Sequence, residues 1–226
     1  MLASLFGRDG PLKLSKLRMD PTSAVADYGF VVAGSDSYDH TIEGGPCTIE
    51  CKYLGNNIYK LTPSGRSGSD YYFPYVSQNL NGGVGQCRVP AGAADGTIVL
   101  TGAMNGCSLD VRRSGPDWLF RHDANGLAMA SLPLGDPRRS GDAKCRIDVG
   151  HYMLGKWEQT IAASVGSRST DSASVAGQPL HYLISVKTRG KWLVLNSGIL
   201  LIQSAKATKY ERLRGVNIIT PIVTSF

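Results

Sequence analysis

Two residues of this chain, Cys107 and His122, could together carry out covalent acyl chemistry on an amide. They lie in the stretch Thr-Gly-Ala-Met-Asn-Gly-Cys-Ser-Leu-Asp-Val, which begins at Thr101, and in Trp-Leu-Phe-Arg-His-Asp-Ala-Asn, which follows after a turn. A cysteine thiolate attacks a carbonyl carbon, and a histidine can remove the thiol proton and later return it to a leaving amine. The run from Thr97 to Thr101 is apolar and β-branched and ends at Gly102. The segment Gly102-Ala-Met-Asn-Gly supplies small residues and φ-permissive glycines, so a tight turn delivers Cys107. A nucleophile at such a turn has backbone N–H groups beside it, its own and those of its neighbours, that can face a tetrahedral oxyanion. Asn105, Gly106 and Ser108 are the turn residues in question. A plainer role exists for each: free cysteine is a common small buried hydrophobe, and Thr101 suits any strand.

The elements that must position this pair are short strands separated by Gly, Asn, Asp and Ser. After Cys107, Leu109 and Val111 alternate with polar residues, and Ser114-Gly115-Pro116-Asp117 turns the chain. Trp118, Phe120 and His122 then share one face of the returning strand, so the hairpin could bring His122 alongside Cys107. Strands are expected at Tyr28–Ala33, Cys47–Tyr53, Asn57–Leu61, Tyr71–Val76, Thr97–Thr101, Ser108–Arg112 and Trp118–His122. Further strands are expected at His181–Thr188, Lys191–Leu195, Ile199–Gln203 and Val216–Val223, with Arg189-Gly190 as a two-residue hairpin turn. Met153, Leu154, Trp157, Ile161 and Ala162 recur at helical spacing, which predicts a helix over His151–Ser164. Ser164–Gln178 is rich in Ser, Gly and Ala and reads as a long loop. The fold class that results is α+β, a strand-rich β-sandwich core with a few peripheral helices.

Length and composition limit the rest. A chain of 226 residues fits one large domain, here 26–226, preceded by a basic extension or docking arm over 1–25. Apolar content of 42% is enough for a globular core, and the net charge of +6 is mild. The arginines are scattered and no aromatics alternate with a dense basic run, so nucleic-acid binding is unlikely. Arg112-Arg113 and Arg138-Arg139 offer places where an acidic protein surface could dock. Five cysteines, an odd number without compact spacing, argue for a reducing site of action. Cys47 and Cys51 lack a second ligand pair at zinc spacing, and no other metal or cofactor motif is present. No apolar run reaches bilayer length, and the opening Met-Leu-Ala-Ser-Leu-Phe-Gly-Arg-Asp is too short for a secretory signal peptide. The expectation is a cytoplasmic protein or one exported without a cleavable signal. His40, His151 and His181 read as surface or internally satisfied histidines. Asn79 and Asn81 are candidates to orient His122, and the cluster Tyr71-Tyr72-Phe73-Pro74-Tyr75 could line a substrate groove or fill the core.

The Thr101-to-His122 stretch resembles the catalytic core of the Cys-His protein glutamine deamidases. That group includes the cytotoxic necrotizing factor toxins, the Burkholderia lethal factor toxin and the chemoreceptor glutamine deamidases. Its pattern is a Ser-Gly-Cys or Gly-Ser-Cys turn after a strand, with a His one strand later and, in some members, a Thr six residues before the Cys. Thr101, Gly106, Cys107 and His122 match; Asn105 departs from the usual Ser. The resemblance covers about 25 residues. It implies a toxin-like enzyme that converts a glutamine of a target protein to glutamate through a Cys107 thioester, releasing ammonia, with no cofactor. Cys107 would be the nucleophile, His122 the general base and acid, and Thr101 the orienting hydroxyl. The setting would be a target cell's cytoplasm, reached by secretion without a cleavable signal peptide. The same chemistry serves a papain-like peptidase or a transglutaminase, and a strand-rich binding module with an inert Cys107 is the non-enzymatic alternative.

Overall fold

The computed structural model describes residues 9–77, 81–153, 176–203, 207–213 and 222–226. Two short helices come first, α1 (Gly10–Met19) and α2 (Pro21–Asp27). Each has a proline in its first turn and an aspartate cap: Asp9 accepts from Leu12 N–H and Asp20 from Ser23 N–H. Leu17, Ala24 and Val25 of this pair are fully buried against the first sheet. Arg18 fixes α1 to that sheet with a two-pronged ion pair to Asp70, at 2.6 and 2.5 Å, and a further bond to the Gly96 carbonyl. Residues 9–25 therefore pack into this protein's own core.

Thirteen strands follow among the described residues: β1 (Gly29–Val32), β2 (Gly45–Gly55), β3 (Ile58–Ser64), β4 (Asp70–Phe73), β5 (Val84–Val89), β6 (Ile98–Thr101), β7 (Ser108–Ser114), β8 (Asp117–Asp123), β9 (Asp142–Ile147), β10 (Ala176–Thr188), β11 (Lys191–Gln203), β12 (Thr208–Arg212) and β13 (Ile222–Ser225). Two helical turns are inserted, α3 (Ala128–Ser131) and α4 (Val149–Tyr152). The protein is strand-rich, with two sheets and few helices. The larger sheet runs β1-β3-β2-β4-β6-β10-β11-β12, with β13 also paired to β11; the smaller runs β5-β8-β7-β9. Pairing is antiparallel except for β1 with β3 and β4 with β6. The larger sheet curls enough for β1 to meet β11, where the Ser197 hydroxyl accepts from Phe30 N–H at 2.7 Å and donates to Phe30 C=O at 2.8 Å.

Two large apolar clusters result, beside a small one around Val84, Ala124, Ala128, Met129 and Leu132. One lies inside the curl, around Phe30, Tyr59, Ile98, Leu100, Ile184 and Ile199. The other joins the two sheets: Phe73, Val99, Leu183, Trp192 and Val194 of the larger meet Cys87, Leu109, Val111, Phe120 and Ile147 of the smaller. The opposite face of the smaller sheet has a buried polar centre of Gln86, Asp110, Arg121 and Asp123. Arg121, fully buried there, donates to Gln86 Oε1, Asp110 and the Ser140 carbonyl.

Most expected strands occur, some with altered limits. Tyr71–Val76 shortens to β4, which ends before Pro74 because proline has no N–H to continue the ladder. Lys191–Leu195 and Ile199–Gln203 prove to be one strand, β11, paired along its whole length with β10. Arg189 and Gly190 both take positive φ, 51° and 74°, as a two-residue hairpin demands. The helix expected at His151–Ser164 does not form at its start, because α4 ends at Tyr152 and Met153 is extended. Its remainder, 154–164, lies outside the described residues, as do 164–175 of the expected loop and 216–221 of the last expected strand. Gly177 and Gln178, expected in that loop, belong to β10.

Candidate active site

The β7–β8 hairpin sets the geometry. Leu109 stands directly opposite His122 and Ser108 opposite Asp123, so Cys107 lies one position beyond the last pair. Cys107 and Leu109 alternate onto the same face as His122, which makes Cys107 and His122 diagonal neighbours on the face toward the larger sheet. Thr101 reaches the same place from the other side, at the end of β6. Its Oγ1 lies 2.8 Å from His122 Nδ1 in a hydrogen bond that crosses between the sheets, and both residues are fully buried. Thr101 and His122 are therefore in contact, while Cys107 lies at the open end of the same hairpin, one position past its last pair. Asn79 and the side chain of Asn81, the other candidates to orient His122, lie outside what the structure describes.

The catalytic contact itself is open. His122 Nε2 is buried and has no hydrogen-bond partner, and no hydrogen bond joins it to the Cys107 sulfur. Burial pushes the imidazole down to about 3, so the ring is neutral. Burial also raises the Cys107 thiol above its ordinary value, with the Asp123 carboxylate adding to the rise and the Asn125 N–H, aimed at the sulfur, working against it. The resting pair is a neutral thiol beside a neutral imidazole, not a thiolate–imidazolium pair.

The turn that carries Cys107 is held from several directions. Asn105 uses its side chain on β10: Nδ2 donates to the Pro179 carbonyl at 3.0 Å and Oδ1 accepts from His181 N–H at 3.1 Å. Its amide spans two backbone groups, and a serine hydroxyl is too short to do so. Gly106 has φ of 82°, a left-handed conformation that favours glycine, with open space where a Cβ would sit. Ser108 points to the opposite face, where its hydroxyl donates to Asp148 at 2.5 Å. The Cys107 N–H, expected to face an oxyanion, donates instead to the Met104 carbonyl at 2.9 Å. The N–H directed at the sulfur is that of Asn125, at the left-handed start of the turn after β8.

Sequence reasoning missed Tyr152. Its single buried O–H is shared between the carbonyls of Met104 and Cys107, the latter at 2.6 Å. Its ring packs on His181, whose Nδ1–H donates to Asn196 Oδ1 at 3.1 Å. His181 is thus an internally satisfied histidine, whereas His40 and His151 are exposed. The only sequence signal for Tyr152 was a place in a helical pattern. Replacing it with Phe should keep the ring packing and strand a buried carbonyl. The expected loss is about 1–3 kcal/mol of stability, read from the urea midpoint.

The aromatic cluster divides. Tyr72 and Phe73 are core residues, while Tyr75 is 47% exposed and lays its ring against His122 at 5.2 Å between centroids. The arginine pairs are largely engaged within the protein. Arg112 bonds Asp110, Arg113 stacks on Trp118, Arg138 pairs with Asp136 and Arg139 donates to the Leu132 carbonyl. All five cysteines are unpaired. Among the described residues no group of three or more His, Cys, Asp or Glu could hold a metal ion, and no helix is long and apolar enough to cross a membrane. The chain matches no known family model, and no curated protein is significantly similar to it in sequence.

Proposed function

We propose that this protein is a cysteine-dependent protein-glutamine deamidase of the Cys-His type, built on a sandwich of the two sheets. The observation that carries the reading is the 2.8 Å bond from Thr101 to His122 Nδ1, with Nε2 left free on the face that bears Cys107. With Nδ1–H donating to Thr101 Oγ1, the lone pair resides on Nε2, the tautomer a general base requires. His122 Nε2 then takes the Cys107 proton and the thiolate attacks the glutamine carboxamide carbon. The Asn125 N–H is the best-directed donor for the oxyanion. As the intermediate collapses, the C–N bond breaks and the imidazolium delivers its proton to the leaving ammonia. Water, deprotonated by His122, then hydrolyses the thioester to give glutamate and free thiol.

Five unpaired cysteines suit a reducing compartment, so the target is a protein met in a cytoplasm, as for toxin-like deamidases delivered into another cell. The test compares the protein with its Cys107→Ala variant in cell lysates, following Gln-to-Glu conversion by mass spectrometry. Conversion by the parent and none by the variant is expected; equal levels overturn the reading. Released peptide termini or incorporated amines in place of ammonia would make the same centre a peptidase or a transglutaminase. A non-catalytic module with an inert Cys107 is favoured by one observation, the missing bond between sulfur and imidazole. Absence of any Cys107-dependent product would select it.

A further inference from the structure

We propose that Tyr75 closes the Cys107–His122 centre in the resting protein, and that its ring becomes the wall against which the methylene stem of the target glutamine packs. The substrate half of this inference rests on the deamidase reading above; the closure rests on geometry alone. His122 is 0% exposed and Cys107 is 4% exposed, so both groups are closed over in the resting protein. A side chain must move before chemistry can start. Tyr75 is suited to be that side chain, because it is both in contact with the imidazole and 47% exposed. Its ring meets the imidazole edge-on, with 68° between the planes.

The backbone beneath Tyr75 is fixed while the side chain is not. Gly85 faces His122 across the β5–β8 pairing, and a Cβ on Gly85 would come within 2.0 Å of the Pro74 carbonyl. Pro74 therefore rests on the strand beside His122, and Gly85 is what permits the approach. From that anchor the Tyr75 ring projects over the imidazole, and its hydroxyl has no hydrogen-bond partner among the described residues. Among the described residues, swinging the ring aside breaks the aromatic contact with His122 and no hydrogen bond.

The closure also explains the protonation state of the pair. With the ring in place, thiol and imidazole are both desolvated and both remain neutral. Turning it aside admits water or a polar carboxamide, which lets the proton pass from sulfur to Nε2. Substrate entry and activation of the nucleophile are then a single event. A glutamine side chain fits the opening, having an apolar stem to lie along an aromatic ring and a terminal amide to reach the sulfur.

The test uses the full chain with Tyr75→Ala and Tyr75→Phe. Alkylation of Cys107 by iodoacetamide is followed by peptide mass spectrometry, with Cys145 as internal reference, beside the kcat and KM of deamidation on a converted target. Tyr75→Ala should raise the Cys107 alkylation rate by about tenfold or more and raise KM, whereas Tyr75→Phe should behave as the parent on both counts. Unchanged Cys107 alkylation in a folded Tyr75→Ala protein overturns the closure, whether or not deamidation is seen. Faster alkylation in a protein that deamidates nothing leaves the closure standing and overturns the substrate reading. A KM that Tyr75→Ala does not move overturns the wall.

Discussion

Lowering the pH from 7 to 4.5 is expected to remove on the order of 2–3 kcal/mol of folding stability through His122 alone. The buried imidazole is held down to about 3, against an ordinary value of 6.5, so the unfolded chain binds a proton over a range in which the folded protein does not. Stability rises with pH wherever the unfolded state binds more protons, and here that window runs from about 3 to about 6.5. Above it His122 is neutral in both states and contributes no slope; within it the loss is about 1.4 kcal/mol for each unit of acidification. Denaturant midpoints at several pH values, for the parent and for His122→Phe, isolate this term. The variant leaves Thr101 without its partner, which gives a constant offset, and the gap between the two proteins should close by roughly 2–3 kcal/mol between pH 7 and 4.5. Parallel curves would mean that His122 charges inside the folded protein, and hence that its surroundings are wet.

Arg18→Ala should destabilise the protein by about 3–5 kcal/mol, the range for removing one partner of a buried ion pair. The Asp70 side chain is 3% exposed and receives both prongs of the guanidinium, with the Ile98 N–H as an additional donor. Without Arg18, Asp70 keeps a buried charge that a single backbone amide must satisfy, and the Gly96 carbonyl loses a donor as well. Because Asp70 begins β4 and Ile98 begins β6, the damage falls on the two parallel strands that lead to Tyr75 and Thr101. Arg18→Lys should recover only part of the loss, since a single ammonium cannot match the two-pronged geometry. Thermal denaturation of the three proteins measures both effects. An Arg18→Ala protein within about 0.5 kcal/mol of the parent would show that the pair is no better than a surface contact.

The legible and illegible parts of the fold differ for physical reasons. Strands with one apolar and one polar face, such as β7 and β8, announce themselves by alternation. β5 and β9 alternate as well, with Cys87, Val89, Cys145 and Ile147 toward the core and Arg88, Lys144 and Arg146 exposed, but each run is short, and its Gly, Gln, Lys and Arg residues are not those that favour strands. Asn196-Ser197-Gly198 has the composition of a turn, which divided β11 in two. In the structure these are strand residues with particular tasks: Asn196 bonds His181, Ser197 clamps Phe30, and Gly198 leaves room for Leu213 and the His181 ring. The candidate site was legible where chemistry and turn formation coincide in sequence, at Thr101, Gly106, Cys107 and His122, and Tyr75 was read as one of a cluster that could line a groove or fill the core. Tyr152 and Asn125 were not legible, because the first acts across the fold and the second through a backbone N–H that residue type does not reveal.

The Ser197 clamp on β1 bears on how fast this chain reaches its native state. The two residues it joins are 167 positions apart, and β1 takes its place only between β3 and a strand near the far end of the sequence. The β10–β11 hairpin can form early around its two-residue turn, since its contacts are local. The first strand can pair with β3 early, but its contact with β11 must wait for that hairpin and closes a loop of most of the chain. Such long-range closure slows folding. Refolding should therefore show a slow late phase in which β1 closes against β11, read by stopped-flow fluorescence.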